Sequence, residues 1–385
     1  SIIMKKLEVF GAAKLKGQIR ISGSKNASLP ILAATLLSNK KISLTNLPRV
    51  KDVETMIKLL ESMGSKVKVS KNKNTLVIKN DKKIKTEASY NLMSTMRAGI
   101  IVLGPLLARF GKARVSSPGG CNIGFRPIDI HLEALKKMGV KYKIIDGYIN
   151  ANAKNGLVGA KIKFPKISVG ATENLMIAAC LAKGQTVLSN CAIEPEIKDL
   201  SNFLCSMGAK IVWTGRRQVK IIGVKTFKQS NYKIMFDRIE AGTMLIAGAI
   251  NQGNLKITGI ESSILETEID LLKKIGAKIN QKKNEIIIKG NKKIKNINIK
   301  TSPYPGVATD IQAQLMVLLC KANKRSTIKE DIFENRFQSI PELKRMNAKI
   351  EVKGNQAIIE GNTIFKGAQV MATDLRASAS LVLAA

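Results

Sequence analysis

The sequence predicts an α/β (α+β) protein of two similar domains, each made of three repeated strand-helix units. A segment that ends a helix and starts an alternating strand recurs five times, roughly 70 residues apart. The five copies read LLESMGSKVKV, ALKKMGVKYKI, FLCSMGAKIVW, LLKKIGAKINQ and LKRMNAKIEVK. A second helix, rich in small and apolar residues, starts in six places. The length of 385 residues also suits two domains rather than one.

The first kind of helix has a recognisable end in every copy. A glycine or asparagine after the last helical turn is typical of a left-handed C-cap, and a strand of period two follows it, as in residues 74–78 and 285–288. Each copy is therefore predicted to contribute an amphipathic helix and a strand pair. The predicted caps are Gly64, Gly139, Gly208, Gly276 and Asn347.

The second kind of helix defines the domains. The sixth such helix has only begun when the sequence ends, so the sixth unit is expected to be truncated. We expect residues 21–235 to form the first domain, and residues 1–20 plus 236–385 to form a second, C-terminally incomplete domain. Two ordinary strands would cross between the domains, and ligands would gather in the cleft between them. The six starts lie near Lys25-Asn26, Arg97-Ala98, Thr172-Glu173, Glu240-Ala241, Asp310-Ile311 and Arg376-Ala377.

Composition favours a soluble protein of the cytoplasm. The longest uncharged apolar stretch, residues 98–108, is far too short for a membrane span and contains glycine and proline. The N-terminal lysines have no apolar signal core behind them. Five cysteines form no CxxC pair, which indicates a reducing compartment and neither a disulfide framework nor a zinc site. His131 is the single histidine, which excludes a site with several histidine ligands.

A formal net charge of +36 raises the alternative of a basic scaffold that binds nucleic acid. The lysines are spread in short groups along the chain, and aromatic residues make up only 4% of it, so surfaces on which bases could stack are scarce. These observations favour a diffuse compositional bias over a nucleic-acid interface. Salt-dependent binding to duplex would support the alternative.

The segment from Ser116 to His131 combines three glycines and two prolines around Cys121 and Arg126. Such a loop exposes backbone amides and leads into a helix near Pro127, whose N-terminus and neighbouring arginine would activate a thiol. The residues alone leave open whether Cys121 is reactive or structural. The spacing matches neither a Walker A loop nor GxGxxG.

Three cations stand at predicted helix starts, where their charge opposes the helix dipole. Lys25, Arg97 and Arg376 are better explained by a shared anionic ligand than by three solvated surface charges. Asp310 occupies the fifth helix start, where an ordinary N-cap is the common role of aspartate.

Together these segments resemble the UDP-N-acetylglucosamine 1-carboxyvinyltransferase family of enolpyruvyl transferases. The matching motifs, in order along the whole chain, are SGSKNASLPIL, TMRAGI, PGGCNIGFRPIDIH, SVGAT, EPEI, TDIQAQ, FENRF and ATDLRASASLVLA. The resemblance implies two inside-out α/β barrels of three repeats each. It also implies transfer of the enolpyruvyl group of phosphoenolpyruvate to the sugar 3-hydroxyl of UDP-N-acetylglucosamine, the first committed step of peptidoglycan synthesis. 5-Enolpyruvylshikimate-3-phosphate synthase shares that fold and donor but lacks the cysteine loop.

The resemblance also implies roles for individual residues. Cys121 would be the proton donor and covalent trap, and Asp310 would contact the sugar 3-hydroxyl and accept its proton. Lys25 and Asn26 would hold phosphoenolpyruvate. No metal, organic cofactor, nucleic acid or membrane partner is expected. The expected substrate-binding residues are Arg97, Arg126, Pro127, Ile128, Asp129, Ile130, Lys166, Ser168, Val169, Gly170, Ile332, Arg336, Asp374 and Arg376.

The family pattern continues beyond the sixth helix. It has a His-x-Asp-Arg-Gly-Tyr segment there, whose arginine joins the phosphoenolpyruvate site. This sequence ends before that segment. The resemblance therefore leaves the activity of this chain open at that point.

Overall fold

A computed structural model describes residues 5–11, 14–72, 74–117, 128–332, 337–372 and 375–385. For Arg97 and residues 375–377 the description covers the backbone. The chain divides into two compact units. The first unit is Ser22–Met235, and the second unit combines Ser1–Ile21 with Phe236–Ala385.

The first unit alternates strands and helices throughout. Its described helices are α1 (Lys25–Ala34), α2 (Lys51–Met63), α3 (Tyr90–Met93), α4 (Leu103–Phe110), α5 (Ile128–Lys137), α6 (Val169–Ala179) and α7 (Pro195–Ser206), with short 3₁₀ helices at Thr35–Leu37 and Arg97–Val102. Its strands are β2 (Ile42–Thr45), β3 (Lys66–Val69), β4 (Leu76–Lys79), β5 (Glu87–Ala88), β6 (Lys112–Ser116), β7 (Lys141–Ile145), β8 (Tyr148–Asn152), β9 (Lys161–Lys163), β10 (Gln185–Ser189), β11 (Lys210–Gly215), β12 (Gln218–Ile222) and β13 (Ser230–Lys233).

The second unit repeats this alternation. Its described helices are α8 (Arg238–Ile250), α9 (Glu266–Ile275), α10 (Gln312–Cys320), α11 (Ile340–Arg345) and α12 (Leu375–Ala384), with 3₁₀ helices at Ser262–Leu265 and Thr309–Ile311. Its strands are β1 (Lys16–Arg20), β14 (Asn254–Thr258), β15 (Lys278–Lys282), β16 (Glu285–Lys289), β17 (Asn298–Lys300), β18 (Ser326–Lys329), β19 (Ile350–Lys353) and β20 (Gln356–Ile359).

The described strands form five four-stranded sheets, all with one topology. A parallel edge strand pairs with a central strand, and the central strand pairs antiparallel with a hairpin that completes the sheet. In the first unit the sheets are β13-β2-β4-β3, β5-β6-β8-β7 and β9-β10-β12-β11. In the second unit they are β1-β14-β16-β15 and β17-β18-β20-β19. The sequence repeat is therefore also a repeat of sheet topology.

The two predicted kinds of helix differ in burial as their sequences require. In α1, α6 and α10 almost every residue is buried, because these helices carry small and apolar residues all round. In α2 and α9 only one face is buried, and the strands likewise bury alternate residues. The helices rich in small residues thus lie inside and the half-buried sheets outside, within each unit. Within the described segments, we find no helix that combines the length and the apolar character needed to cross a membrane.

The predicted helix ends are confirmed, whereas several predicted starts need correction. All five cap positions are left-handed, with φ of 112° at Gly64 and 83° at Asn347. The third helix rich in small residues starts at Val169 rather than at Thr172, because the Ser168 hydroxyl caps it by accepting from a backbone N–H. At Arg97 and Asp310 the chain forms a 3₁₀ turn before the α-helix begins.

Candidate active site

Lys25 and Asn26 open helix α1, and Ser24 fixes where that helix begins. The Ser24 hydroxyl accepts a hydrogen bond from the Ala27 N–H at 3.0 Å. Lys25 Nζ lies 3.2 Å from Oδ2 of Asp52, in the first turn of α2. A carboxylate of the protein thus supplies the negative charge that the sequence argument assigned to a ligand. Both side chains are partly exposed, so the pair adds little stability, and the ammonium can also take an anionic substrate.

The segment that carries Arg97 is held in place by Asn174, a residue that is 0% exposed. The Gly104 N–H donates to Asn174 Oδ1 at 2.7 Å, and Asn174 Nδ2 donates to the Ile100 carbonyl at 3.1 Å. A Cβ on Gly104 would lie 2.3 Å from Asn174 Oδ1, so the two helices approach more closely than any other residue type would allow. Asn174 therefore joins α6 to the 3₁₀ turn that Arg97 begins. The side chain of Arg97 is not described.

The same amide also sets the chemical state of His131. Since Oδ1 of Asn174 faces an N–H and Nδ2 faces a carbonyl, the orientation of the amide is fixed. Its remaining N–H points at His131 Nδ1, 3.1 Å away, which must accept. His131 is then neutral, with its proton on Nε2. Burial lowers the pKa of His131 to about 4, which agrees with this state.

Two segments expected to bind the nucleotide sugar meet at His131. Ile128, Asp129 and Ile130 form the first turn of α5, immediately before this histidine. Gly170 lies in the first turn of α6, where a Cβ would be 3.2 Å from the His131 ring. The structure therefore brings the two segments together inside one unit.

The start of α6 has the form of an anion site. Ser168 caps the helix by accepting from the Ala171 N–H at 3.2 Å, while Lys166 and Val169 are exposed next to it. A helix N-terminus presents unpaired backbone N–H groups and the positive end of the dipole, which suits a diphosphate. The predicted role of this segment is thus compatible with its geometry.

One glutamate of this helix is buried together with two glutamates at the start of α7. Glu173 is 4% exposed, and Glu194 and Glu196 are 8% and 3% exposed. Burial raises the pKa of Glu173 well above its usual range, and the charges of Glu196 and Glu194 raise it further. The Thr172 hydroxyl accepts from the Ala192 N–H at 3.1 Å and so ties α6 to the segment that precedes these glutamates. The cluster thus favours the protonated form of Glu173 over the ionised form.

In the second unit, Asp310 and Ile332 are connected through Glu330. Asp310 lies in the 3₁₀ turn Thr309–Ile311 and is half-buried, and Ile332 is 47% exposed. Glu330 is 1% exposed and accepts hydrogen bonds from the hydroxyl of Thr309 and from the Ile332 N–H, the latter at 3.1 Å. One buried carboxylate thus contacts a neighbour of Asp310 and the backbone of Ile332.

Some predicted site residues cannot be placed. Arg376 is the second residue of α12, and only its backbone is described. The remaining predicted residues lie outside the described residues, and they include the proposed proton donor. They are Cys121, Arg126, Pro127, Arg336 and Asp374.

The sequence did not predict the residues that contact and position the candidate site segments without being candidate site residues themselves. Asp52, Asn174 and Glu330 carry no motif of their own, because their roles depend on partners far away in the sequence. For Asn174 the only available signal was a polar residue within an otherwise apolar helix. For Glu330 the available signal was that the residue after the equivalent strand differs between copies of the repeat.

Comparison with known proteins assigns the chain to a family. The family model described as EPSP synthase (3-phosphoshikimate 1-carboxyvinyltransferase) matches residues 9–385. A UDP-N-acetylglucosamine 1-carboxyvinyltransferase of Pelagibacter ubique is 72% identical over 382 residues, which cover 99% of this chain and 91% of that protein. The protein of the same name from Trichlorobacter lovleyi is 49% identical over 381 residues, with 99% and 90% covered.

Solved structures share the fold at low sequence identity. The enolpyruvyl transferase NikO from Streptomyces tendae superposes with a TM-score of 0.88 at 23% identity, covering 97% of this chain and 89% of that chain. An EPSP synthase from Acinetobacter baumannii gives a TM-score of 0.75 at 18% identity, covering 97% and 90%. These likenesses support the fold, and the closer relatives decide the family. The chain belongs to the EPSP synthase family of carboxyvinyltransferases and, within it, to the UDP-N-acetylglucosamine 1-carboxyvinyltransferases.

Proposed function

We propose that this chain transfers the enolpyruvyl group of phosphoenolpyruvate to the 3-hydroxyl of UDP-N-acetylglucosamine and releases phosphate. The observation that carries the proposal is 72% identity, over 99% of the chain, to a relative named for this reaction. The reaction is the first committed step of peptidoglycan synthesis and takes place in the cytoplasm. A cysteine usage without CxxC pairs supports that location.

The proposed chemistry needs three proton transfers, one at the sugar 3-hydroxyl and two at the methylene carbon. Asp310 removes the proton from the sugar 3-hydroxyl as its oxygen bonds to the central carbon of phosphoenolpyruvate. Cys121 delivers a proton to the methylene carbon, which becomes a methyl group in the tetrahedral intermediate. Phosphate then leaves with the proton that Asp310 took up, and the methyl group returns a proton to the Cys121 thiolate, so that the enol double bond re-forms. A positioned acid or base contributes roughly a hundredfold to ten-thousandfold in rate.

Several of the remaining proposed residues would bind the negatively charged groups of the substrates. Phosphoenolpyruvate carries a carboxylate and a phosphate, and Lys25, Arg97, Arg126 and Arg376 are the cations proposed to offset them. The Lys25–Asp52 pair keeps the lysine at the start of α1 before the substrate binds. The N-terminus of α6 is the proposed site for the diphosphate, beside Lys166.

Phosphate release tests the proposal directly. The full-length protein is mixed with phosphoenolpyruvate and UDP-N-acetylglucosamine, and inorganic phosphate is followed with time. We expect release only when both substrates are present. Release that ignores the nucleotide sugar, or that is faster with shikimate 3-phosphate as acceptor, would contradict the proposal.

The role of Asp310 is tested by Asp310→Asn, which keeps the shape and removes the base. We expect kcat to fall at least a hundredfold. Asp146→Asn is the matched control, since Asp146 lies in an exposed turn between β7 and β8 and should leave kcat unchanged. Equal kcat values for the two variants would exclude Asp310 as the base.

A further inference from the structure

Glu330 is a buried carboxylate of the second unit that accepts four hydrogen bonds. One carboxylate oxygen accepts from the Thr309 hydroxyl and from Gln312 Nε2, the latter at 3.4 Å. The other accepts from the Thr301 hydroxyl and from the Ile332 N–H at 3.1 Å. Both oxygens act as acceptors, which is the pattern of an ionised carboxylate. Partners from three segments of chain, at residue 301, at residues 309–312 and at residue 332, thus converge on one side chain.

In two of the other four sheets, an asparagine follows the central strand at the position of Glu330. Asn46 and Asn190 directly follow the central strands β2 and β10, as Glu330 follows β18. Both asparagines are left-handed, with φ of 60° and 57°. Asn46 Nδ2 donates to the Ile234 carbonyl at 2.9 Å, and Asn190 Nδ2 donates to the Phe164 carbonyl at 3.0 Å. Each carbonyl belongs to the residue that follows the parallel edge strand of its sheet.

Glu330 differs from these two asparagines. Its partner Thr301 follows the edge strand β17, so it corresponds to Ile234 and Phe164. Glu330 is not left-handed, however, and it contacts a side-chain hydroxyl instead of a backbone carbonyl. An asparagine would be sufficient to make the contact with the residue that follows the edge strand of the sheet. The longer carboxylate also accepts hydrogen bonds from Thr309, Gln312 and Ile332, and these bonds are not part of the sheet.

We propose that Glu330 is a positioning residue for the acceptor sugar, acting through Asp310 and Ile332. The inference rests on the proposed function and deepens it. By holding the Thr309 hydroxyl, Glu330 fixes the turn in which Asp310 lies, and by accepting from the Ile332 N–H it fixes the residue expected to pack near the sugar. Displacing a reacting group by about 1 Å can cost a hundredfold in rate, so a small loosening of this turn is sufficient.

The test replaces Glu330 with the residue that two of the other sheets have at this position. Glu330→Asn keeps a side chain suited to the end of the strand and removes the reach to Thr309 and Ile332. We expect the KM for UDP-N-acetylglucosamine to rise about tenfold and kcat/KM for it to fall about a hundredfold. The KM for phosphoenolpyruvate should change less than about threefold. A purely structural loss would lower kcat through loss of folded enzyme and leave both KM values unchanged.

Asn190→Ala provides the matched control, because Asn190 occupies the equivalent position in the first unit. It should lower stability and leave both KM values unchanged. If Glu330→Asn behaves like Asn190→Ala in both KM values, the proposal is wrong. Wild-type protein is assayed first. Absence of phosphate release by wild type would overturn the proposed function, whereas wild-type release with an unaffected variant would overturn only the positioning role.

A double-mutant cycle with Thr309 sharpens the result. Thr309→Val removes the hydroxyl that Glu330 accepts from and keeps the size of the side chain. If the two residues act through one bond, the double variant should lose no more kcat/KM than Glu330→Asn alone. Additive losses would show that Glu330 does not act through the turn of Asp310, and would overturn the proposal.

Discussion

Asn174 in the first unit and Glu330 in the second are both buried polar side chains that join segments distant in the sequence. Asn174 is a neutral amide, and its partners are two backbone groups and the His131 ring. Glu330 is a carboxylate, and its partners are two hydroxyls, one amide and one backbone N–H. Asn174 joins helices, whereas Glu330 joins turns beside Asp310 and Ile332.

This difference separates two ways of building a site. Helices packed around an amide that satisfies every partner form a rigid unit, whose failure should appear as lost stability. Turns held by hydroxyls can shift slightly without unfolding, so their failure should appear in catalysis. The first unit therefore presents its proposed nucleotide-binding segments on packed helices, and the second unit presents its proposed base on a turn fixed by one carboxylate.

Replacing Asn174 gives the largest expected effect on stability. Asn174→Ala leaves the Gly104 N–H, the Ile100 carbonyl and His131 Nδ1 without their partner in a fully buried place. We expect the free energy of unfolding to fall by about 4 kcal/mol. Denaturant unfolding followed by circular dichroism measures it, with Asn150→Ala as the control in a half-buried strand. If Asn174→Ala loses no more unfolding free energy than Asn150→Ala, Asn174 does not stabilise the first unit in the way that this contrast with Glu330 requires.

Titration of His131 gives the second prediction, because this neutral histidine is a partner of the amide. The pKa falls from 6.5 to about 4 on burial, so between these values the unfolded chain binds more protons than the folded one. Stability should therefore fall as pH drops through this window, by up to roughly 3 kcal/mol. The signal of a single imidazole is unambiguous in NMR, and an imidazole that titrates near 6.5 in the folded protein would contradict the assigned state.

A nearby carboxyl of the same unit works in the opposite direction. Burial raises the pKa of Asp199 from 3.8 to about 6, so the folded state binds the extra proton and stability falls as pH rises through that window. The wild-type pH profile is then flattened, because Asp199 and Glu173, whose pKa is also raised, oppose His131. In Asp199→Asn the dependence on His131 should emerge, with a steeper loss of stability below pH 6.

The repeat could be predicted from the sequence because each copy carries its own local signals. The left-handed caps at Gly64 and Asn347 follow from glycine and asparagine after an amphipathic helix, and both are confirmed. The predicted start of α6 is wrong, because a serine cap four residues upstream of Thr172 competes with the polar residues there. Local chemistry thus predicts ends better than starts where several polar residues occur in a row.

The supporting residues of the site could not be predicted for a different reason. Asn174 lies 70 residues from Gly104 and 43 from His131, and Glu330 lies 29 residues from Thr301. No local pattern encodes such pairs, because they are created only when distant parts of the chain pack together. Family motifs supplied the residues proposed to touch substrates, and only the structure supplied the residues that hold them.

The smallest expected effect tests how closely the helices of the first unit must approach. A Cβ at position 104 would lie 2.3 Å from Asn174 Oδ1 and 2.5 Å from the Asn174 carbonyl oxygen. The backbone oxygen cannot rotate away, so in Gly104→Ala the helices must separate, which should cost about 2 kcal/mol in unfolding free energy. Gly367→Ala is the control, because a Cβ there meets nothing within 4 Å and φ is not left-handed. Since separation of the helices would weaken the Asn174 bonds, the imidazole of His131 should also titrate closer to 6.5 in Gly104→Ala. Equal stability of the two variants, together with an unchanged His131 titration, would mean that the contact between the two helices tolerates movement. The first unit would then be no more rigid here than the turn held by Glu330, and the two regions would differ only in the chemical groups that join them.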